Sequence, residues 1–355
     1  MSRYLSEKYS SLEAYTPGEQ PKNMEYVKLN TNESPYPPSK GVTEAVFEES
    51  KKLMLYSDPE SLYLRQAIAS LYGLEPENIL PTNGSDEIIN FAFMAFCDKD
   101  HPIVFPNITY GFYTVFGDIN MVPYEEIPLN DDFTINYKDY LNIGKNIIIA
   151  NPNAPTGIAL GLDKIEEIVK SNPDNVVIID EAYVDFGGES AIPLTKKYDN
   201  LLVTQTFSKS RSMAGARLGF GVGNKDLIAD LDKIKYSTNP YNVNRMTSAA
   251  GIAAIAENEY YMDNARKIIS TREYTVSELK KSGFTVLDSS ANFIFAKSDR
   301  IGGEELYLKL KENGVLIRHF TNPLIADYNR ITIGTKEQMD VFLEQTDRIL
   351  KQVIK

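Results

Sequence analysis

The segment richest in chemistry is Thr206-Phe207-Ser208-Lys209-Ser210-Arg211-Ser212-Met213-Ala214-Gly215-Ala216-Arg217-Leu218-Gly219, which follows the apolar run Leu201-Leu202-Val203. A lysine just past a strand end can reach the crevice where open α/β sheets bind ligands. There its amine can form a Schiff base with an aldehyde cofactor. The Ser208 hydroxyl and the planar fork of Arg217 suit an oxygen-rich dianion such as a phosphate. A Ser-Lys pair alone reads more simply as a solvated polar loop, so the other segments decide.

Asp180-Glu181-Ala182-Tyr183 directly follows the apolar run Val176 to Ile179. A carboxylate at that strand end can pair with a protonated ring nitrogen and keep the ring electron-withdrawing, and Tyr183 can bond a phenolic oxygen on the same ring. In isolation the tetrapeptide could equally begin a helix with a capping Asp. Asn83-Gly84-Ser85-Asp86-Glu87 introduces a helix running to Cys97, whose free N–H groups and dipole favour an anion, although many helices begin this way. Asn151-Pro152-Asn153-Ala154-Pro155-Thr156-Gly157 makes a rigid turn after Ile147 to Ala150. Four strand ends thus direct polar residues at one crevice.

These positions require a particular scaffold. Ile103-Val104-Phe105, Ile147 to Ala150, Val176 to Ile179 and Leu201 to Val203 read as strands covered on both faces. Asp86 to Cys97 and Leu162 to Ser171 read as helices between them, which predicts an α/β fold with a mostly parallel central sheet flanked by helices. After about Tyr241 come a long helical region from Asn244 to Ser282, then Phe284 to Leu287, Asn292 to Ala296, a helix near Glu304 to Glu312, strands around Val315 to Arg318 and Arg330 to Ile333, and a closing helix from Lys336. This order predicts a smaller α+β C-terminal lobe. The expected division is an N-terminal arm over 1–30, a large domain over 31–245 and a small domain over 246–355, with 31–50 free to pack against the small lobe. Gly219-Phe220-Gly221-Val222-Gly223 lacks the nicotinamide fingerprint, because Asn224 stands where a third glycine belongs. It reads as a close-packed strand.

Composition narrows the function further. The 355 residues are 43% hydrophobic, enough for a sizeable core, and the net charge of −12 argues against nucleic acid or an anionic membrane as partner. Cys97 is the only cysteine, and the two histidines, His101 and His319, lie far apart, so neither a disulfide nor a metal site is expected. The N-terminal residues carry no apolar h-region and no run approaches a membrane span, which predicts a cytoplasmic protein.

From about Tyr15 to the C-terminus, these motifs in this order resemble the aspartate-aminotransferase-like pyridoxal-phosphate enzymes, the class I/II aminotransferases, and within them the branch that transaminates histidinol phosphate. The resemblance implies the pyridoxal-phosphate-dependent transferase fold, with Lys209 carrying pyridoxal 5'-phosphate, Asp180 on the pyridine nitrogen and Tyr183 on the phenolic oxygen. Ser85, Asp86, Thr206, Ser208 and Arg217 are implied as the phosphate cradle, and Tyr110, in Pro106-Asn107-Ile108-Thr109-Tyr110-Gly111, as the residue stacked on the ring. Tyr56 matches a tyrosine that reaches the phosphate bound by the neighbouring subunit, which implies a homodimer with shared sites. Ala154 departs from the pattern, since many relatives have asparagine immediately before Pro-Thr-Gly to bond the phenolic oxygen. Either Asn153 substitutes after a small backbone change, or Tyr183 makes that contact alone.

The same resemblance assigns substrate anions to Arg330, in Asn329-Arg330-Ile331-Thr332-Ile333-Gly334, and to Arg318, in Gly314-Val315-Leu316-Ile317-Arg318. Tyr15, in Tyr15-Thr16-Pro17-Gly18, and Asn32, in Leu29-Asn30-Thr31-Asn32-Glu33-Ser34-Pro35-Tyr36, join them from the arm. Paired arginines suit both the carboxylates of 2-oxoglutarate and a substrate phosphate; as ordinary residues they would form surface ion pairs. The activity implied is transfer of the amino group of histidinol phosphate to 2-oxoglutarate, giving imidazole-acetol phosphate and glutamate, a step of histidine biosynthesis. Threonine-phosphate decarboxylation, aromatic-amino-acid transamination and a cofactor-bearing regulatory protein are the alternatives.

Overall fold

Successive strand residues point to opposite faces, so the complete burial of Ile147, Ile148 and Ile149, and of Val177, Ile178 and Ile179, demands a sheet covered on both sides. The computed structural model describes residues 2–10, 12–22 and 24–353; Met1, Ser11, Asn23, Ile354 and Lys355 lie outside the described residues. The arm ends in β1 (Val27–Lys28) and leads to α1 (Lys40–Ser50) and α2 (Leu62–Tyr72). The central sheet takes its strands from β2 (Ile79–Thr82), β3 (Ile103–Pro106), β4 (Tyr124–Ile127), β5 (Asn146–Ala150), β6 (Val177–Asp180), β7 (Leu201–Thr206) and β8 (Gly219–Gly223). Their spatial order is β2-β8-β7-β6-β5-β3-β4. All run parallel except β8, which is antiparallel to both neighbours.

Helices α3 (Ser85–Phe96), α4 (Phe112–Asn120) and α5 (Leu162–Ser171) connect these strands, and α6 (Lys225–Thr238) follows β8. On one face Ile147, Ile149, Val177 and Ile179 pack with Leu64, Ile68, Ile165 and Ile168. On the other, Ile148, Ile178 and Leu202 pack with Ile88, Ile89, Phe93 and Leu231. The chain leaves β3 for β4 on one side and β5 for β6 on the other, and such a reversal opens a crevice at the strands' carboxyl ends. A Cβ on Gly219 would sit 2.4 Å from the Ser85 nitrogen. Glycine there lets β8 lie against the start of α3, as the predicted close-packed strand requires.

The C-terminal part holds α7 (Arg245–Ala256), α8 (Asn258–Lys281), β9 (Phe284–Val286), β10 (Phe293–Ser298), α9 (Gly303–Glu312), β11 (Val315–Leu316), β12 (Arg318–His319), β13 (Asn329–Thr332) and α10 (Lys336–Val353). β12, β13, β10 and β9 form an antiparallel sheet, against which Ile268, Leu279, Leu306, Leu310, Met339 and Phe342 make a separate core. Leu29 belongs to this core, and β1 pairs in parallel with β11, so the end of the arm is stitched to the smaller sheet.

Two expectations are revised, and one strand was missed. The long helix is interrupted at Glu257, and α7 packs its buried Ala250 and Ala254 into the larger core, because its small side chains allow close approach to α1 and α2. The strand expected over Val315 to Arg318 is divided: β11 serves the arm, while β12 pairs with β13. Edge strand β4 escaped the sequence reading because Glu125 and Glu126 face solvent, as charged edge strands do.

Candidate active site

Every strand end singled out by the sequence opens on one cleft of about 200 Å³, lined by Ser85, Asp86, Tyr110, Asp180, Tyr183, Thr206, Ser208, Lys209 and Arg217. At one end, Gly84 turns with φ 84° into the first residue of α3. The leading N–H groups of a helix have no partner within it, and the dipole adds positive potential. Arg217, itself left-handed at φ 55°, places Nη2 3.1 Å from Asp86 Oδ2. A Cβ at position 84 would come 2.5 Å from that Nη2, so glycine keeps the approach open. Asp86 also accepts from the Tyr110 hydroxyl at 2.9 Å. Its carboxylate is thereby occupied, leaving the helix N–H groups, the Ser208 hydroxyl and the outer edge of Arg217 for an anion. Thr206 lines the cleft, but its Oγ1 accepts from Ser208 N at 3.1 Å and donates to Leu218 O at 3.3 Å, which fixes the loop.

At the other end lies Asp180, the last residue of β6 and buried. Tyr113 donates to its Oδ2 at 2.8 Å and Thr204 to its Oδ1 at 3.3 Å. Burial pushes the Asp180 carboxyl up to about 6, against the downward pull of the Tyr113 hydroxyl and with an upward push from Asp86. Strand alternation sends Glu181 the opposite way, where Ser190, the Ala191 N–H and Gln205 donate to it. Burial raises that carboxyl to about 7. Tyr113 was missed by the sequence reading; its position three residues beyond Tyr110 was the available signal.

Lys209 Nζ lies 5.7 Å from the centre of the Tyr183 ring and donates to Thr31 O at 3.4 Å. The Tyr183 hydroxyl accepts from Asn32 Nδ2 at 3.0 Å, and its ring meets Phe293 edge-on at 5.0 Å. Asn153 does not turn into the cleft. Its Nδ2 donates to Ile108 O at 2.9 Å and Thr156 Oγ1 at 3.2 Å, while its Oδ1 accepts from Thr109 at 2.9 Å. Both amide hydrogens are used to brace the loop, and the Ala154 methyl lines the cleft instead. Tyr56 lies outside its own chain's cleft, 80% exposed and stacked on Tyr241 at 4.7 Å.

A wider cleft of about 800 Å³ continues outward past Tyr15, Asn32, Arg318 and Arg330. Arg318 and Arg330 are directly opposed in the β12–β13 register, an arrangement of like charges that is unfavourable without an anion. Arg330 sits between the rings of Phe293 and Phe320, at 5.4 and 5.7 Å, donates from Nη2 to Asn30 O at 2.9 Å, and has a buried Nε without a partner. Arg318 reaches the Pro17 and Thr16 carbonyls at 3.5 and 3.4 Å. Among the described residues neither guanidinium has a carboxylate partner, so the surface ion pair is not their structure. The Tyr15 ring rests on Phe112 at 4.7 Å; burial raises its hydroxyl pKa, and Arg318 and Arg330 pull it down. Asn32 borders this cleft with its amide committed to Tyr183 and Thr332. Among the described residues no cluster of His, Cys, Asp or Glu could hold a metal, and no helix is long and apolar enough to cross a membrane.

Known proteins are similar to this chain over nearly its whole length. A family model, Aminotransferase class I and II, matches residues 24–345. Histidinol-phosphate aminotransferase of Brachyspira hyodysenteriae is 55% identical over 99% of this chain and 100% of its own length. The enzyme of the same name from Pseudomonas syringae pv. syringae is 47% identical over 97% and 99%. Among solved structures, the histidinol-phosphate aminotransferase from Clostridium acetobutylicum superposes with a TM-score of 0.85 at 26% identity, covering 92% of this chain and 99% of that one.

The raised Asp180 pKa sets a pH dependence for the chain without bound small molecules. The unfolded carboxyl ionises near ~4 while the folded one holds its proton to about 6, so stability falls as pH rises through that window. Asp180→Asn removes the penalty. Thermal melts of ligand-free protein should place D180N above the native chain at pH 8, with the gap closing near pH 4; a lower melting temperature for D180N at pH 8 would refute the assignment.

Proposed function

This chain belongs to the class I and II aminotransferase family, and on that premise we propose that it transfers the amino group of L-histidinol phosphate to 2-oxoglutarate, giving imidazole-acetol phosphate and glutamate. The observation that carries the substrate reading is the cross-strand pair Arg318 and Arg330, with Tyr15 beside it and no carboxylate between them among the described residues. Two guanidinium groups and a phenol suit a substrate phosphate in one half-reaction and a dicarboxylate in the other.

Pyridoxal 5'-phosphate is the cofactor, and the donor set suits it, with hydroxyl, helix N–H and guanidinium groups at one end of the cleft and a buried acid at the other. When bound, it supplies an electron-poor ring that takes up the charge released as the substrate's Cα–H bond breaks. Asp180 holds the ring nitrogen; beside that cation its own proton affinity falls and it stays ionised. Tyr183 gives its hydroxyl hydrogen to the phenolic oxygen, and the Tyr110 ring covers one face. The N–H groups of Ser85 and Asp86, with Ser208, Thr206 and Arg217, surround the phosphate. Lys209 would hold the aldehyde end of the cofactor through its Nζ. The same amine would take up and return the proton at substrate Cα, while Arg318, Arg330 and Tyr15 would hold the far anion. The neighbouring Phe293, Phe320 and Phe112 rings limit water around that anion and strengthen its hold.

We also infer that two copies pair. Phe47, Leu53, Met54, Leu55, Tyr56 and Tyr63 are all at least 59% exposed within one short stretch, more apolar surface than a monomer usually leaves in water. Covering this stretch with a second copy would let Tyr56 reach the partner's phosphate. The lone buried thiol of Cys97 accords with a cytoplasmic site of action.

Single-turnover mixing of cofactor-loaded protein with histidinol phosphate, phenylalanine or threonine phosphate tests the substrate reading. Loss of the cofactor's visible band should be fastest with histidinol phosphate. Preference for phenylalanine, carbon dioxide release from threonine phosphate, or no spectral change with any amine would each overturn it. Sedimentation should give twice the 39.9 kDa chain mass, falling to one chain in Met54→Asp with loss of turnover; a fully active native monomer would rule out the shared site.

A further inference from the structure

We propose that Asn32 is a positioning residue that turns the Tyr183 hydroxyl hydrogen into the cofactor cleft. The hydrogen-bond chain starts at Thr332. Its Oγ1 accepts the Asn32 backbone N–H at 2.9 Å, so its own hydrogen is available for the Asn32 side chain, whose Oδ1 accepts it at 3.0 Å. That bond fixes which way the amide faces. Nδ2 then points at the Tyr183 oxygen, 3.0 Å away. A phenol that accepts from one side keeps its hydrogen for another. The edge-on contact with Phe293 holds the Tyr183 ring so that its oxygen stays within reach of Asn32.

The local backbone supports the same assignment. Asn32 is left-handed at φ 56°, a conformation that Asn adopts more readily than most residues. Its carbonyl is pinned by Asn292 Nδ2 at 2.9 Å. Beside Tyr183 the cleft wall is the Ala154 methyl, and Asn153 has both amide hydrogens engaged elsewhere. No amide from that turn therefore reaches a ligand oxygen facing Tyr183. A single oriented phenol takes the place of two donors, and Asn32 supplies the orientation. The charged groups facing Tyr183 are Lys209 and Arg330, with the phenols of Tyr15, Tyr110 and Tyr113 nearby.

This inference rests on the reading that Tyr183 bonds the cofactor's phenolic oxygen, so the test separates the two. The readout is the pH midpoint of the bound cofactor's visible absorption band, measured without substrate in the native protein, Tyr183→Phe, Asn32→Gly and the double variant. Glycine is chosen because it keeps the left-handed backbone. Loss of a donor to the phenolic oxygen should raise the midpoint in Y183F, on the order of one pH unit. N32G should give a smaller rise, and none when added to Y183F. An unshifted N32G beside a shifted Y183F overturns the role of Asn32. Equal N32G shifts in both backgrounds overturn it too, because the effect would not pass through Tyr183. An unshifted Y183F removes the underlying reading and this proposal with it. If N32G does not fold, Asn32→Asp, which keeps the acceptor for Thr332, carries the comparison: its shift should shrink in the Y183F background, and an undiminished shift overturns the proposal.

Discussion

Burying an ionisable group without a countercharge costs several kcal/mol per ion, and this structure does so at both ends of its cleft. Asp180 is surrounded by neutral donors, the Tyr113 and Thr204 hydroxyls, and no cation bonds it among the described residues. Arg330 rests between two rings with one backbone carbonyl and a buried, unpartnered Nε. Neither is a good arrangement for the protein alone. Both become favourable when a ligand brings a cation to Asp180 and an anion to Arg330. The rest of the fold holds these two groups in position at opposite ends of a continuous opening.

The stretch from Asn30 to Asn32 joins the two ends. Asn30 O receives Arg330, Thr31 O receives Lys209, and the Asn32 amide donates to Tyr183. Three consecutive residues therefore touch Arg330, Lys209 and Tyr183. The stretch is anchored in the smaller sheet, where Thr332 N donates to Leu29 O at 2.9 Å.

Much of this was legible in the sequence. Parallel strands buried on both faces appear as unbroken apolar runs, and the polar residue at the end of each run marks the crevice. Asp180 and Lys209 were found in this way, Ser85 from the helix start after Gly84, and Tyr110 through the family resemblance. What was not legible is contact between residues remote in sequence. Asn32 and Tyr183 are 151 positions apart, and nothing local to either announces the other. Asn153 misled because residue type alone does not show that its amide is engaged by Ile108 and Thr156. Helix α7 was expected in the smaller lobe because its Ala-rich sequence has little apolar periodicity to show which core it joins. The division of β11 from β12 depends on pairing with the arm, which local pattern does not encode.

On the proposed reading one amine, Lys209 Nζ, holds the cofactor among these converging groups. Borohydride reduction of the cofactor-loaded protein, followed by proteolysis and mass spectrometry, tests this most directly. A single phosphopyridoxyl adduct is expected, on the peptide containing Lys209. An adduct confined to any other lysine, or its complete absence from a protein that is still active, would contradict it.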